Sequence, residues 1–217
     1  KSELIWFVFI MKFRKLIISL LGTALLTSSV GLSTTTASAD TLDDSQNTTE
    51  VQPKNLKWAY PFKANKKNGV RPMYNAQTFG ITNYMRSTTP PSYFHDGWDF
   101  GFSEVGHSNV YAIHQGTVKK VAHGNGLGWF IWVISPDNYV EVYQEGFNKK
   151  KDIYVKTGQK IKLGQKIGKL TGSHLHLGVT QTNKDYINKY GFPCKNWNVN
   201  NGTWLNPIEV IKSNLKK

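Results

Sequence analysis

Phe94-His95-Asp96-Gly97-Trp98-Asp99-Phe100-Gly101-Phe102 alternates in character from one residue to the next, the two-residue period of a β-strand. In an extended chain His95, Gly97, Asp99 and Gly101 share one face, and Phe94, Trp98, Phe100 and Phe102 share the other. The apolar set anchors the segment in a core. The opposite face offers an imidazole and a carboxylate, with glycines leaving room beside them. A second stretch, Gly172-Ser173-His174-Leu175-His176-Leu177-Gly178-Val179, obeys the same arithmetic. It places His174 and His176 on one face and Leu175, Leu177 and Val179 on the other.

Outward from these two stretches the signals stay short and strand-like. Residues 109–114, 116–122, 129–135, 139–143, 153–155, 159–161 and 173–180 read as strands parted by Gly, Asn or Pro-Asp-Asn turns. Only Asn206 to Leu215 carries a helical stripe. The expectation is a mainly β, small antiparallel domain closed by a short C-terminal helix. Gly158-Gln159-Lys160-Ile161 recurs as Gly164-Gln165-Lys166-Ile167, which predicts two tight turns joining short strands. Lipoyl and biotin carriers use similar spacing, but they need a modified lysine on an exposed hairpin between matching halves, and none is found here. Trp129, Phe130 and Trp132 lie in a segment too apolar for a surface strand and are assigned to the core.

The first 39 residues read differently. Lys12, Arg14 and Lys15 precede an apolar run from Leu16 to Leu32, and Ala37-Ser38-Ala39 follows. That order is a secretory signal peptide cleaved after Ala39, and residues 1–10 read as a misplaced start. Gly22, Thr23 and Ser28-Ser29 break the apolar run and argue against a stable membrane anchor after cleavage. Residues 40–56 are polar and acidic and form a flexible leader. The domain proper is residues 57–217, and its proline- and aromatic-rich lead-in, residues 57–93, is expected to be an irregular arm.

Composition bounds the partners. Of the 217 residues, 39% are hydrophobic and 13% aromatic, too apolar for a disordered chain, and 19% charged, too few for a long charged coiled coil. The chain has 27 basic and 14 acidic residues; without the signal, 23 and 13 remain, a formal +10. No zinc finger, ribonucleoprotein motif or basic helix accompanies this charge, so nucleic acid is not expected. An exported cationic protein is drawn instead to an anionic surface such as a bacterial wall, although solvated lysines without a partner explain the charge equally well. The single Cys194 excludes an internal disulfide and reads as a structural thiol. An exported chain without paired cysteines fits a Gram-positive source, secreted or wall-associated.

The two strand faces together hold three imidazoles and one carboxylate. Two imidazoles and a carboxylate form a common zinc set with a fourth position for water, and the remaining histidine would move a proton beside it. Either pair alone is ordinary surface polarity. Their joint occurrence, each backed by an apolar alternate face, points to a metal. Of the other histidines, His107 reads as a turn residue, His114 as a solvated or packed strand end, and His123 as part of a glycine-rich surface loop.

From about Tyr93 to Pro207 the chain resembles the lysostaphin-type zinc metallopeptidases. His95-x3-Asp99, the glycine-spaced repeat, His174-x-His176, Val110-Tyr111-Ala112-Ile113 leading to Gly116-Thr117-Val118, and Trp204-Leu205-Asn206-Pro207 carry the likeness. The resemblance implies a β fold of the duplicated hybrid motif type with a groove over the metal. It implies Zn²⁺ held by His95, Asp99 and His176, His174 assisting the attacking water, and hydrolysis of peptide bonds in peptidoglycan cross-bridges or stem peptides. One position departs: where the family has Tyr-x-His, this chain reads Tyr143-Gln144-Glu145. Glu145 either serves as a general base, as glutamates do in other zinc peptidases, or marks a member with little turnover that binds or regulates at the wall.

Overall fold

The computed structural model describes residues 56–124, 126–182 and 198–215, all within one compact unit. The signal, most of the leader, Cys194 and Trp197 lie outside the described residues.

Besides two 3-10 turns (Asn75–Gln77 and Lys150–Asp152), three helices and ten strands follow in chain order among the described residues. They are α1 (Lys63–Asn68), β1 (Gly80–Arg86), β2 (Ser92–His95), β3 (Gly97–Gly101), α2 (Phe102–Val105), β4 (Asn109–Tyr111), β5 (Gly116–Gly124), β6 (Gly128–Ile134), β7 (Tyr139–Phe147), β8 (Lys160–Ile161), β9 (Lys166–Lys169), β10 (His174–Gln181) and α3 (Pro207–Asn214). The fold is mainly antiparallel β with a short C-terminal helix, as the alternation predicts. A six-stranded sheet runs β3-β10-β7-β6-β5-β8, beside the two-stranded pairs β1-β2 and β4-β9.

Both faces of the large sheet are covered, which explains the unbroken apolar run in β6. Ile131, Val133, Tyr143, Leu175 and Leu177 enter the main core with Phe62, Phe100, Val110, Ile167 and Ile211. Phe130, Trp132, Val140 and Val142 point the other way, onto Phe94 and Trp204. Trp129 is only partly buried against the main core. Asn206 caps α3 by accepting the Ile208 N–H at 3.0 Å, with Pro207 at the first turn. Ile208 and Ile211 seat the helix.

The glycine repeat forms the two turns expected of it. Gly158 (φ 86) and Gly164 (φ 71) occupy the left-handed region. In each turn the glutamine side chain accepts a backbone N–H three residues earlier, Gln159 from Lys156 and Gln165 from Lys162.

Three expectations need correction. The lead-in is not irregular, for it carries α1 and the β1-β2 hairpin. The stretch 94–102 is not one strand: it breaks at Asp96, and Phe102 opens a helical turn with its ring 45% exposed. Residues 153–155 form no strand, only an isolated bridge from Ile153 to Gly168.

Candidate metal centre

β10 lies between β3 and β7, and its register sets the site. His176 pairs with Asp99 on one side and Gln144 on the other, so the imidazole and the carboxylate are direct cross-strand neighbours on one face. His95 is the last residue of β2, and the break at Asp96 turns it toward them. Gly97 makes the fit possible: a Cβ there would lie 2.4 Å from His176 Nε2 and 2.5 Å from the Leu177 carbonyl oxygen.

Three atoms converge. His95 Nε2 is 3.0 Å from His176 Nδ1, His176 Nδ1 is 3.0 Å from Asp99 Oδ1, and His95 Nε2 is 3.3 Å from that same oxygen. Ligands about 2.0–2.1 Å from a tetrahedral zinc stand about 3.3 Å apart, so these donors need little adjustment to hold one. The other ring nitrogens are engaged elsewhere. His95 Nδ1 donates to the Thr78 carbonyl at 2.9 Å, which leaves Nε2 as the lone pair. His176 Nε2 faces Asp96 Oδ1 at 3.5 Å.

The sequence reading passed over Asp96, which belongs to neither set of alternating residues singled out there. The structure brings donor atoms of His95, Asp96 and His176 within 4.8 Å of one another. Asp96 and Asp99 thus flank opposite nitrogens of one imidazole, and the closer contacts belong to Asp99. Far from facing solvent, His95, Asp99 and His176 are all buried.

That burial shapes the charges. Burial alone would raise the Asp99 carboxyl, but hydrogen bonds from His176 and His95 hold it well below the usual carboxylate range. Burial pulls His176 down, yet Asp96, Asp99 and Glu145 together push it up to about 9.

Beside this triad stands a second pair. His174 Nε2 is 2.8 Å from Glu145 Oε2 and 3.7 Å from Asp99 Oδ2, and His174 Nδ1 meets the Ser173 hydroxyl at 2.9 Å. Glu145 reaches the site through a bulge: from Trp129 to Ile131 β6 pairs with Phe147 and Tyr143, so β7 carries extra residues. Its φ of 64° is left-handed, a costly conformation for glutamate that concentrates at functional sites. Burial acts to raise Glu145, but His174's hydrogen bond and the nearby imidazoles bring it below its ordinary value. Burial acts to lower His174, but Glu145 and Asp99 lift it above its own. The geometry therefore favours a carboxylate and an imidazolium next to the three donor atoms.

Arg86 also escaped the sequence reading. It donates to the Ala76 carbonyl at 2.7 Å and to Gln77 Oε1 at 3.1 Å, within electrostatic reach of Asp99, Asp96 and Glu145. The remaining histidines lie outside the cluster. His114 is packed, stacked on Trp58 and bonded to Asp137. His107 stacks on Phe102, and His123 sits exposed against Trp129.

Residues 93–189 match Peptidase family M23. Among solved structures, CbpA from L. salivarius REN is 38% identical, with a TM-score of 0.59 over 75% of this chain and 99% of that one. A mutant catalytic domain of the prophage-encoded M23 protein EnpA from Enterococcus faecalis is 23% identical (TM-score 0.39, covering 60% of this chain and 85% of that one). The catalytic domain of the antimicrobial peptidase lysostaphin from Staphylococcus simulans is 21% identical (TM-score 0.47, covering 70% and 98%). No curated protein matches.

Proposed function

Because the chain belongs to peptidase family M23, we propose that it is a secreted zinc metalloendopeptidase that cuts peptide bonds in bacterial peptidoglycan, in cross-bridges or stem peptides. The observation that carries the reading is the convergence of His95 Nε2, Asp99 Oδ1 and His176 Nδ1 at 3.0–3.3 Å. Two imidazoles and a carboxylate are a zinc donor set, and these three would hold the ion. Bound zinc supplies a polarised carbonyl and a water acidic enough to ionise near neutral pH. Glu145, ionised and beside the site, takes the proton of the attacking water. His174, positively charged against Glu145, steadies the developing oxyanion and returns a proton to the leaving amine. Residues 1–39 serve as the export signal and 40–56 as the leader in this proposal.

Glutamate in place of the family's histidine favours a second reading, a metal-bearing wall protein without turnover. One experiment separates them: digest purified peptidoglycan with the zinc-loaded protein, with a chelator control and Glu145→Gln alongside, and read the fragments by mass spectrometry. New chelator-sensitive peptide ends that Glu145→Gln reduces about 10²-fold or more, with zinc content unchanged, support the peptidase. Intact peptidoglycan with one zinc per chain supports the second reading.

A further inference from the structure

The sheet separates charge from one edge to the other. Asp96, Asp99 and Glu145 gather around β3, β10 and the end of β7. At the opposite edge, β8 and the turns around it are lined with lysines. Between residues 146 and 182 stand Lys149, Lys150, Lys151, Lys156, Lys160, Lys162, Lys166 and Lys169, with Asp152 as the sole acid. All eight lysines are exposed. Asp152 offsets one of these charges and leaves +7; its carboxylate accepts the Lys149 backbone N–H and the Thr171 hydroxyl. Among the described residues none of the eight is held in an ion pair.

Backbone hydrogen bonds set the two repeat turns, with Lys156, Lys160, Lys162 and Lys166, side by side at this edge. The first repeat turn docks on β5, through Gly158 N–H to the Val118 carbonyl and Val121 N–H to the Thr157 hydroxyl, next to exposed Lys119. The second docks beside β4, through Gly164 N–H to the Ala112 carbonyl. Lys149–Lys151 lie apart from this edge, just past the end of β7, where Asn148 and Asp152 bond Thr171. Each turn presents equivalent lysines, Lys156 with Lys160 and Lys162 with Lys166.

We infer that this edge is a docking surface for a linear phosphodiester polymer without bases, separate from the metal centre. β8 is four strand steps from β10, about 19 Å at normal strand spacing, so a chain held there leaves the site open. The surface is built only of ammonium groups, since the chain's three arginines are Arg14, Arg71 and Arg86. Lysine meets phosphate as a point charge, and repeated lysines without an arginine fork suit diffuse contact along a chain of phosphates rather than bidentate capture of a single phosphate or carboxylate. Tyr154 is the sole aromatic from 148 to 172, too little for a base-stacking platform. The inference does not depend on whether the metal centre turns over.

The test measures binding of the full chain to synthetic poly(glycerol phosphate) as salt is varied. Lys156, Lys160, Lys162 and Lys166 are changed together to Gln in one variant, and Lys57, Lys66, Lys67 and Lys212 in a control of equal charge. The edge variant is expected to bind at least tenfold more weakly at about 0.15 M salt. Its log–log salt slope should flatten by about 2–3, near 0.7 per lost contact. The control should change less than threefold, and zinc content should stay the same in both. Equal losses in the two variants would reduce the effect to net charge and overturn the proposal. So would undetectable polymer binding, or phosphatidylglycerol vesicles held as tightly as the polymer and lost in parallel with it.

Discussion

Protonation of His176 offers a quantitative check on the metal centre. Asp96, Asp99 and Glu145 outweigh burial and push this imidazole up to about 9, while its Nδ1 must shed its proton to serve as a ligand. At pH 7 that release costs two pH units at 1.36 kcal/mol each, about 2.7 kcal/mol. Apparent zinc affinity should therefore rise about 50-fold from pH 7 to pH 9 and level off above it at about 100-fold. Stability of the metal-free protein should run the other way. The folded value lies above the unfolded 6.5, so the His176 contribution is complete below pH 6.5 and disappears as pH climbs through 9, a loss of about 3 kcal/mol. His174, also raised, adds to the same trend. The gain in melting temperature on adding zinc should accordingly widen with pH. Competition titration against a chelator of known proton equilibria gives the affinities, and calorimetry in buffers of different ionisation enthalpy counts the protons released, about one per zinc at pH 7. Asp96→Asn removes the strongest upward push on His176 and should flatten the pH dependence. Equal zinc affinity at pH 7 and pH 9, or binding without proton release, would refute the reasoning.

The remaining predictions concern packing and charge. Gly97→Ala puts a methyl 2.4 Å from His176 Nε2; it should cost about 1–3 kcal/mol by overpacking and abolish zinc retention, read by unfolding and by metal analysis of the same sample. Glu141 is fully buried, and burial followed by the Asp137 charge raises it well above its ordinary 4.5 against a smaller lowering by the Tyr143 hydroxyl. Keeping it protonated at pH 7 costs up to about 3 kcal/mol, a penalty that accrues only as pH rises above 4.5. Glu141→Gln should therefore melt higher than the parent at pH 7 and alike at pH 4, and a variant equally destabilised at both would sink the argument. Asn206→Ala, which removes the α3 cap, should lower stability by about 1 kcal/mol in urea unfolding and leave zinc content untouched.

Much of the centre was legible because strand alternation is a local property. Asp99, His174 and His176 sit where a two-residue period puts them, and the repeated Gly-Gln-Lys-Ile forms turns because glycine alone takes the left-handed backbone cheaply. The hairpin was hidden because β1 exposes Ile81, Tyr84 and Met85 and so shows no apolar-in, polar-out pattern. Asp96 was passed over because alternation assumes an unbroken strand, and the chain breaks at that residue. Glu145 was picked out by comparison with a family pattern. Its reach to His174 depends on a bulge and a positive φ, which side-chain identity does not encode.

β3 closes one end of the six-stranded sheet, and a terminal strand invites pairing with other molecules. Its outer side is met by the Met73 N–H on the Asp99 carbonyl at 2.9 Å; its inner side is tied to β10 through the same residue that faces His176. Asp99 is thus a rivet for the fold's margin as well as a donor in the proposed centre. In the proposed centre, ligation across Asp99 and His176 would fasten the outermost strand to its neighbour. Stripping that ligation with a chelator loosens a seam, and the form so produced should self-associate over time and dissolve again when zinc is returned.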